Sequence, residues 1–337
     1  MSSKIVVAGV TSLYTAVGVG EFPLGYSPSS PPAWMRSEVA GTAGHVASAL
    51  AALGDEVELC TVTGPDLAGD VIRAYLRDHG LLGEGVIEGA ASSLGVVLVA
   101  QDGSRMGYPY LAAVNAVEYP ADVFYRCGYE ADLLVLTNAR FVQPLLHHAD
   151  GLGIPIAVDV HLVAGPDDER NRPWLEVADV VFCSHERLTC TPAEWVRGVF
   201  DRYPGCSVAG VGRGQDGCLL GLRDGTLAEI EAIAPRGVIS TAGAGDALFA
   251  SFLHTWVATG NPVDALESAV LYAGWNIGDS MPASALLTEA DLVDLRAAYP
   301  VRASIGRWRE PAIRSGHRRP GAPGAREAWR FDERRAG

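Results

Sequence analysis

Four consecutive residues, Gly243-Ala244-Gly245-Asp246, carry the strongest chemical signal in this sequence. They follow Val238-Ile239-Ser240-Thr241 and run straight into Ala247-Leu248-Phe249-Ala250-Ser251-Phe252-Leu253, which predicts a helix opening at the glycines. Residues this small let a backbone approach a ligand closely. The first turn of a helix presents unpaired amides and the positive end of its dipole, so a phosphate or a developing anion is the natural guest. A carboxylate one step further on, at Asp246, can take a proton from a hydroxyl aimed at that phosphate. An ordinary glycine-rich turn would look the same, and this segment alone leaves both readings open.

Gly212-Arg213-Gly214-Gln215-Asp216-Gly217 matches the pattern GxGxxG after an apolar run. A dinucleotide fingerprint must then open a helix. Cys218-Leu219-Leu220-Gly221-Leu222 reads instead as a second strand, turned by Asp224-Gly225, so the segment is a β-turn-β whose glycines can line a nucleotide. Lys4 is the only lysine in the chain, which excludes a Walker A loop with its Gly-Lys-Ser/Thr. Any nucleotide phosphates must be held by amides, helix N-termini, arginine and metal.

The elements that would position these groups alternate. Short apolar runs at 4–9, 57–62, 133–136, 156–160, 180–182 and 207–211 suit a buried parallel sheet. Helical stretches fall near 45–53, 67–79, 141–151, 169–177 and 191–203, and again at 244–259, 262–277 and 287–298. This predicts a doubly wound α/β sheet with crossover helices. The run 34–39 and a hairpin over 94–111, turned at Gln101-Asp102-Gly103-Ser104, have no helices of their own and are expected to form a small sheet over a cleft. Asp159 closes a predicted strand, where open α/β sheets bind ligands, although a loop-capping Asp fits equally well. Trp256, Trp275 and Phe252 are expected in the core.

With 337 residues, 48% of them apolar and 20% charged, the chain can bury one large core. No apolar run approaches the roughly 20 residues that span a bilayer, and the N-terminus reads as a strand rather than a leader, so a cytoplasmic protein with no membrane partner is expected. Six scattered cysteines show neither CxxC nor Cys/His ligand spacing and are expected to be reduced core thiols. The net charge of −14 divides into about +5 from Arg307 onward, with nine arginines against four acids, and about −19 for the rest. An acidic body argues against nucleic acid as partner. Residues 306–337, basic and rich in Pro and Gly, are expected to be a disordered tail that the body, 1–305, can lose without losing stability.

Ser240-Thr241-Ala242-Gly243-Ala244-Gly245-Asp246 closely resembles the C-terminal signature of the ribokinase (PfkB) family of carbohydrate and nucleoside kinases. Ala40-Gly41-Thr42-Ala43-Gly44-His45-Val46-Ala47 is similar to the family's N-terminal sugar-contacting segment. Thr63-Gly64-Pro65-Asp66-Leu67-Ala68-Gly69 resembles the motif that follows it, and Gly214-Gln215-Asp216-Gly217 stands where the family has its nucleotide loop. The order and spacing agree over roughly residues 4–300. The resemblance implies a ribokinase-like kinase domain over 1–305, with a small β lid inserted at about 12–40 and 92–112. It implies ATP-dependent transfer of the γ-phosphate to a hydroxymethyl group of a sugar or sugar-like molecule, with Asp246 as general base and the amides of Gly243, Ala244 and Gly245 as anion hole.

By the same resemblance, Tyr14, Gly41, Thr42, His45 and Asp246 face the acceptor; Arg105, in the lid hairpin, is placed to reach it as well, although a solvated hairpin face fits that position too. Arg187, Arg213, Gly214, Gly217, Thr241 and Asn276, with Gly243 and Gly245, face the nucleotide. Magnesium accompanies ATP, with Glu186 as a metal residue acting through water. The chain also departs from the pattern. Tyr14 and His45 replace an Asp and an Asn that bind sugar hydroxyls, and Ser184-His185-Glu186-Arg187 replaces Asn-x-x-Glu. Ser240 replaces an Asp that often helps bind a monovalent cation, which weakens the expectation of potassium (K+) activation. Losing a carboxylate and gaining aromatic surface predicts poor use of plain ribose or fructose, with an aromatic, modified or already phosphorylated acceptor preferred. A nucleoside kinase of the same fold, a weakly catalytic sensor of sugar phosphates or nucleotides, and a homodimer through the lid complete the expectations.

Overall fold

The computed structural model describes residues 2–281 and 285–308. In chain order its strands are β1 (Lys4–Ala8), β2 (Ser12–Gly18), β3 (Met35–Ala40), β4 (Glu56–Thr63), β5 (Val86–Glu88), β6 (Ser93–Val99) and β7 (Arg105–Tyr110). They continue with β8 (Leu133–Thr137), β9 (Ile156–Leu162), β10 (Val180–Ser184), β11 (Val208–Gly212), β12 (Cys218–Leu222), β13 (Thr226–Ile230) and β14 (Ser304–Arg307). Among the described residues ten strands form one sheet in the order β14-β13-β12-β11-β10-β9-β8-β1-β4-β5, and four form a separate sheet, β3-β2-β6-β7.

From β11 to β5 the large sheet is parallel, as its run of short, buried apolar strands predicts. The β12–β14 edge is antiparallel. Apolar side chains bury on both faces. One layer packs under the helices Thr42–Leu53, Ala244–Thr259 and Pro262–Asn276, the other under Ala121–Gly128, Leu146–Leu152 and Pro192–Arg202. Helix Ala244–Thr259 is apolar on most sides because it lies between the sheet and two further helices, with Phe249 and Phe252 against Phe182. Phe252 is in the core as expected, whereas Trp256 and Trp275 are only partly buried at its edge. The parallel order aligns the C-terminal ends of β1, β8, β9, β10 and β11 along one rim, the place where sheets of this type bind ligands.

The small sheet matches the expected lid. β2 runs parallel to β6 and antiparallel to β3, so residues 12–18 form an interior strand that the apolar–polar pattern alone does not mark. The root of the lid is pinned by the Gly-Pro-Asp motif. Asp66 Oδ1 caps helix Leu67–Asp78 by accepting from the Gly69 amide, and Oδ2 accepts from Ser92 N, both at 2.7 Å. A side chain on Gly69 would overlap the Gly64 carbonyl. Partial burial raises the Asp66 carboxyl, but the bonds from Ser92 and Gly69 together outweigh it and hold the group below its ordinary value.

The expected boundary after residue 305 is corrected. Ser304–Arg307 pairs with β13, and Trp308 is 8% exposed, stacked on Phe200, with its indole N–H donating to Leu222 O at 2.7 Å. The folded body therefore reaches at least Trp308, since an edge strand and a docked indole offer burial that the composition of the tail does not advertise. Residues 309–337, the remainder of the expected disordered tail, lie outside the described residues. The cysteines are free thiols, five of them buried. Among the described residues no helix is long and apolar enough to cross a membrane.

Candidate active site

Gly243 caps helix Ala244–Thr259 at φ 72°, a left-handed conformation that glycine adopts without strain. A Cβ on Gly245 would meet open space, so the absence of a side chain there leaves room for a ligand rather than for packing. The loop below is braced. Ser240, buried, accepts the Ala242 N–H on its hydroxyl at 3.2 Å, and Asn276 Nδ2 donates to the Ala242 carbonyl at 3.0 Å. Ala244 N donates to Thr241 O at 3.4 Å, a long bond that leaves this amide less free than the expected anion hole assumes. The dipole and the amides of the first turn still favour an anion at this end.

Asp246, in that first turn, keeps 18% of its side chain exposed. Around its carboxylate stand groups from three other elements. His45, in the first turn of helix Thr42–Leu53, places Nδ1 3.4 Å from Asp246 Oδ2. Tyr14, from the lid, has its phenol pushed up by burial and then by the charge of Asp246. Gly95, opposite Tyr14 on β6, makes space for the ring, since a side chain there would overlap it. Asp159, 6% exposed near the end of β9, has its carboxyl pushed up by burial, with His161 opposing and Asp246 adding to the rise. His161, in the left-handed region at φ 53°, donates its amide to Asp159 Oδ1 at 2.8 Å, while its Nε2 lies 3.1 Å from Thr42 Oγ1.

The lid reaches this site through its turn. Thr241 Oγ1 donates to Gly103 O at 3.1 Å, and Arg105 Nε donates to Thr241 O at 3.4 Å. Arg105 and Thr241, expected on the acceptor and the nucleotide respectively, thus meet each other and latch the lid turn to the signature loop. Gly41 holds φ 86° where a side chain would crowd the Val10 carbonyl, which lets the chain enter helix Thr42–Leu53 close against β1.

The nucleotide-side residues are only partly gathered. His185 Nδ1 lies 3.0 Å from the Gly212 carbonyl, so the Ser184–Arg187 turn and the glycine loop are neighbours at the ends of β10 and β11. Glu186 and Arg187 are exposed there. Three of the residues expected on the nucleotide also have structural partners. The guanidinium of Arg213 is engaged by Glu229 at 3.0 Å. Gly217, at φ 83°, is demanded by packing, because a side chain would overlap the Ile230 carbonyl of β13. Asn276 is 1% exposed and holds the Ala242 carbonyl. Gly214, at φ 59°, faces His185.

Among the described residues, the one group of three acidic or histidine side chains within metal reach is Asp159, His161 and Asp246, whose ligand atoms all lie within 4.8 Å of one another. Glu186 is not part of it. His161 is not among the residues that the sequence singles out. A histidine two places beyond a strand-end Asp is its only signal, and the strand order is what brings it to Asp246.

A family model for pfkB family carbohydrate kinases matches residues 4–289. The chain belongs to the pfkB family of carbohydrate kinases. This pfkB-family kinase is 27% identical over 264 residues to an acarbose 7(IV)-phosphotransferase of Actinoplanes sp., an alignment covering 78% of this chain and 87% of that one. It is 29% identical over 241 residues to an ATP-dependent ribose-1-phosphate kinase of Halopiger xanaduensis, covering 69% and 78%. In three dimensions it resembles a microbiome-derived acarbose kinase with a TM-score of 0.78 at 21% identity, over 88% of this chain and 100% of that one. The ribokinase-like fold inferred from the motifs is therefore the fold of the protein.

Proposed function

We propose that this kinase transfers the γ-phosphate of ATP to a primary hydroxyl of a sugar-like acceptor bound between the lid and helix Ala244–Thr259, with Asp246 as general base. The observation that carries the proposal is the position of Asp246. Its carboxylate stands in the first turn of a helix whose small residues leave space for a phosphoryl group, beside a wall formed by Tyr14 and His45. Phosphoryl transfer asks mainly for positioning and charge stabilisation, and a helix N-terminus beside a base supplies both. As the acceptor hydroxyl attacks, its proton passes to Asp246, and charge growing on the phosphoryl oxygens meets the amides of the Gly243–Gly245 turn.

Magnesium fits this end of the sheet. The ion usually keeps several waters and needs one or two carboxylates besides substrate phosphates. Exposed Glu186 at the end of β10 offers one carboxylate of that kind. Bound there with ATP, the ion would offset phosphate charge. Ser240 uses its hydroxyl inside the loop, so potassium has no part in the proposal. A reaction that consumes ATP suits the cytoplasm.

For the acceptor, Tyr14 and His45 supply aromatic surface, and the carboxylates of Asp159 and Asp246 favour a neutral sugar over a phosphorylated one. This revises the preference for phosphorylated acceptors expected from the residue types. The likeness to an acarbose 7(IV)-phosphotransferase supports an acarbose-like acceptor in preference to free ribose. The exposed Met106, Tyr108 and Tyr110 on β7 support the lid as a face for a second copy.

The test is product identification. The full chain is incubated with ATP, magnesium and a panel of oligosaccharides, monosaccharides, sugar phosphates and nucleosides, and the products are assigned by phosphorus NMR. Phosphate on a primary hydroxyl of a neutral sugar supports the proposal. Exclusive use of nucleosides or of sugar phosphates, or binding with no transfer to any acceptor, sinks it.

A further inference from the structure

Asp159, His161 and Asp246 converge at the acceptor end of the cleft with the spacing of a metal site, and a second histidine, His45, stands against Asp246. Asp159, His161 and Asp246 each offer a ligand atom within 4.8 Å of the others. His161 Nδ1 lies 3.6 Å from Asp159 Oδ2, and His45 Nδ1 lies 3.4 Å from Asp246 Oδ2. Tetrahedral zinc with bonds of about 2.0–2.2 Å to nitrogen and oxygen sets its ligand atoms roughly 3.3–3.6 Å apart. Both pairs already stand near that separation.

A second observation points to a ligand at this place. His45 is 3% exposed, and neither of its ring nitrogens has a hydrogen-bond partner among the described residues, although one is directed at Asp246. A buried polar group normally finds a partner, so an imidazole left without one marks a place where something else binds. His161 is arranged as metal-binding histidines are. Its Nε2 is held by Thr42 Oγ1 at 3.1 Å, which leaves Nδ1 turned to Asp159. Imidazole with carboxylate suits zinc, copper or nickel, whereas magnesium prefers an all-oxygen shell.

We propose that Asp159, His161 and Asp246, with His45 able to join from beside Asp246, form a binding site for a divalent transition metal of the zinc class, distinct from the magnesium that accompanies ATP. An ion held there occupies the carboxylate of Asp246 and the space of the acceptor, so it inhibits phosphoryl transfer competitively with the acceptor. That last step rests on the kinase reading, whereas the binding itself does not. Binding needs no change of oxidation state.

The experiment uses cobalt(II) as a coloured stand-in for zinc, added to the full chain without nucleotide or acceptor, so its outcome does not depend on the kinase reading. The expected result is a saturable visible absorption of tetrahedral intensity at one ion per chain, abolished by one equivalent of zinc. His161→Ala and Asp159→Asn should each weaken the apparent affinity about tenfold or more. His148→Ala, on the surface helix Leu146–Leu152, should leave it unchanged. Two separate ligand variants, each with its melting curve compared with wild type, keep loss of the site apart from loss of the fold. In steady state, zinc should raise the apparent KM for the acceptor without lowering kcat, and the effect should fade in His161→Ala. No saturable band, or a band that survives both ligand substitutions or disappears with His148→Ala, overturns the proposal.

Discussion

Asn276, the last residue of helix Pro262–Asn276, donates its side-chain amide to the carbonyl of Ala242 at 3.0 Å, immediately ahead of the glycine turn that delivers Asp246 to the cleft. The bond ties the signature turn to the neighbouring helix from beneath, where water does not reach. Losing the donor leaves a carbonyl without its partner, at a cost of about 1–3 kcal/mol. Asn276→Ala should lower the unfolding free energy by about that much in urea titrations, and kcat should fall with it because the turn is no longer held. Wild-type stability and turnover in this variant would show that Ser240 braces the loop unaided.

Asp246→Asn keeps size and polarity and removes the proposed base. Turnover should fall by about 10²–10⁴-fold, the usual worth of a positioned general base. The loss should appear in kcat more than in KM, because the proton is taken only on the way to the transition state. ATP should still bind, which a titration calorimetry trace on the variant checks. Near wild-type turnover in Asp246→Asn would reduce Asp246 to a helix-start residue.

The signature is legible in the sequence because all its parts are adjacent in the chain: small residues, then Asp246, then the apolar face of the helix. The parallel strands are legible for a similar reason, since burial on both faces writes each one as a continuous apolar run. The partners of Asp246 are less so. His45, His161 and Tyr14 come from distant segments, and the strand order, which no short pattern encodes, decides that they meet. Asn276 and Gly217 look like ligand residues by position, yet burial of one and the backbone demand of the other give them structural work. Trp308 sits in a basic stretch rich in Gly and Pro, so its docking depends on a groove that only the folded body supplies.

That docking makes Trp308 a stability determinant. Its indole stacks on Phe200 at 5.0 Å between ring centroids and donates to Leu222 O. Buried tryptophan truncations typically cost about 3–5 kcal/mol. Trp308→Ala should therefore shift the urea midpoint down clearly, and a chain ending at Ala303 should be less stable than one ending at Trp308. Equal midpoints for these two truncations would place β14 and Trp308 outside the cooperative unit.

Asp66 gives the lid root a pH dependence. Its folded carboxyl lies below the ordinary value, so the folded state holds the ionised form more firmly than the unfolded chain does. The resulting stability is fully present above the unfolded value, near the usual 3.9, and is lost as pH falls through the lower folded value. Asp66→Asn should destabilise the protein at neutral pH, because Asn can still cap the helix with its one carbonyl oxygen but cannot also accept from the Ser92 amide or supply the charge. The gap between variant and wild type should then close as the pH is lowered through the carboxylate range. A gap that is constant with pH would mean that the charge of Asp66 contributes nothing and that only its shape does.

Gly95 and Tyr14 provide a test of the acceptor wall. A Cβ on Gly95 would lie 2.2 Å from the Tyr14 ring, far inside van der Waals contact, so Gly95→Ala must displace the phenol. If the ring packs on the acceptor, as proposed, its displacement raises the KM for the acceptor while the KM for ATP stays the same. Tyr14→Ala should raise the same constant by removing the ring outright. The two changes act through one side chain, so they should not add. In the Tyr14→Ala background, Gly95→Ala meets no ring and should have almost no further effect, whereas independent sites would combine their losses within about 0.3–0.5 kcal/mol. The measurement is the acceptor kcat/KM for the four proteins of this cycle. Additive losses would show that Gly95 acts on the lid backbone, and an acceptor KM unchanged in Tyr14→Ala would remove the phenol from the binding wall.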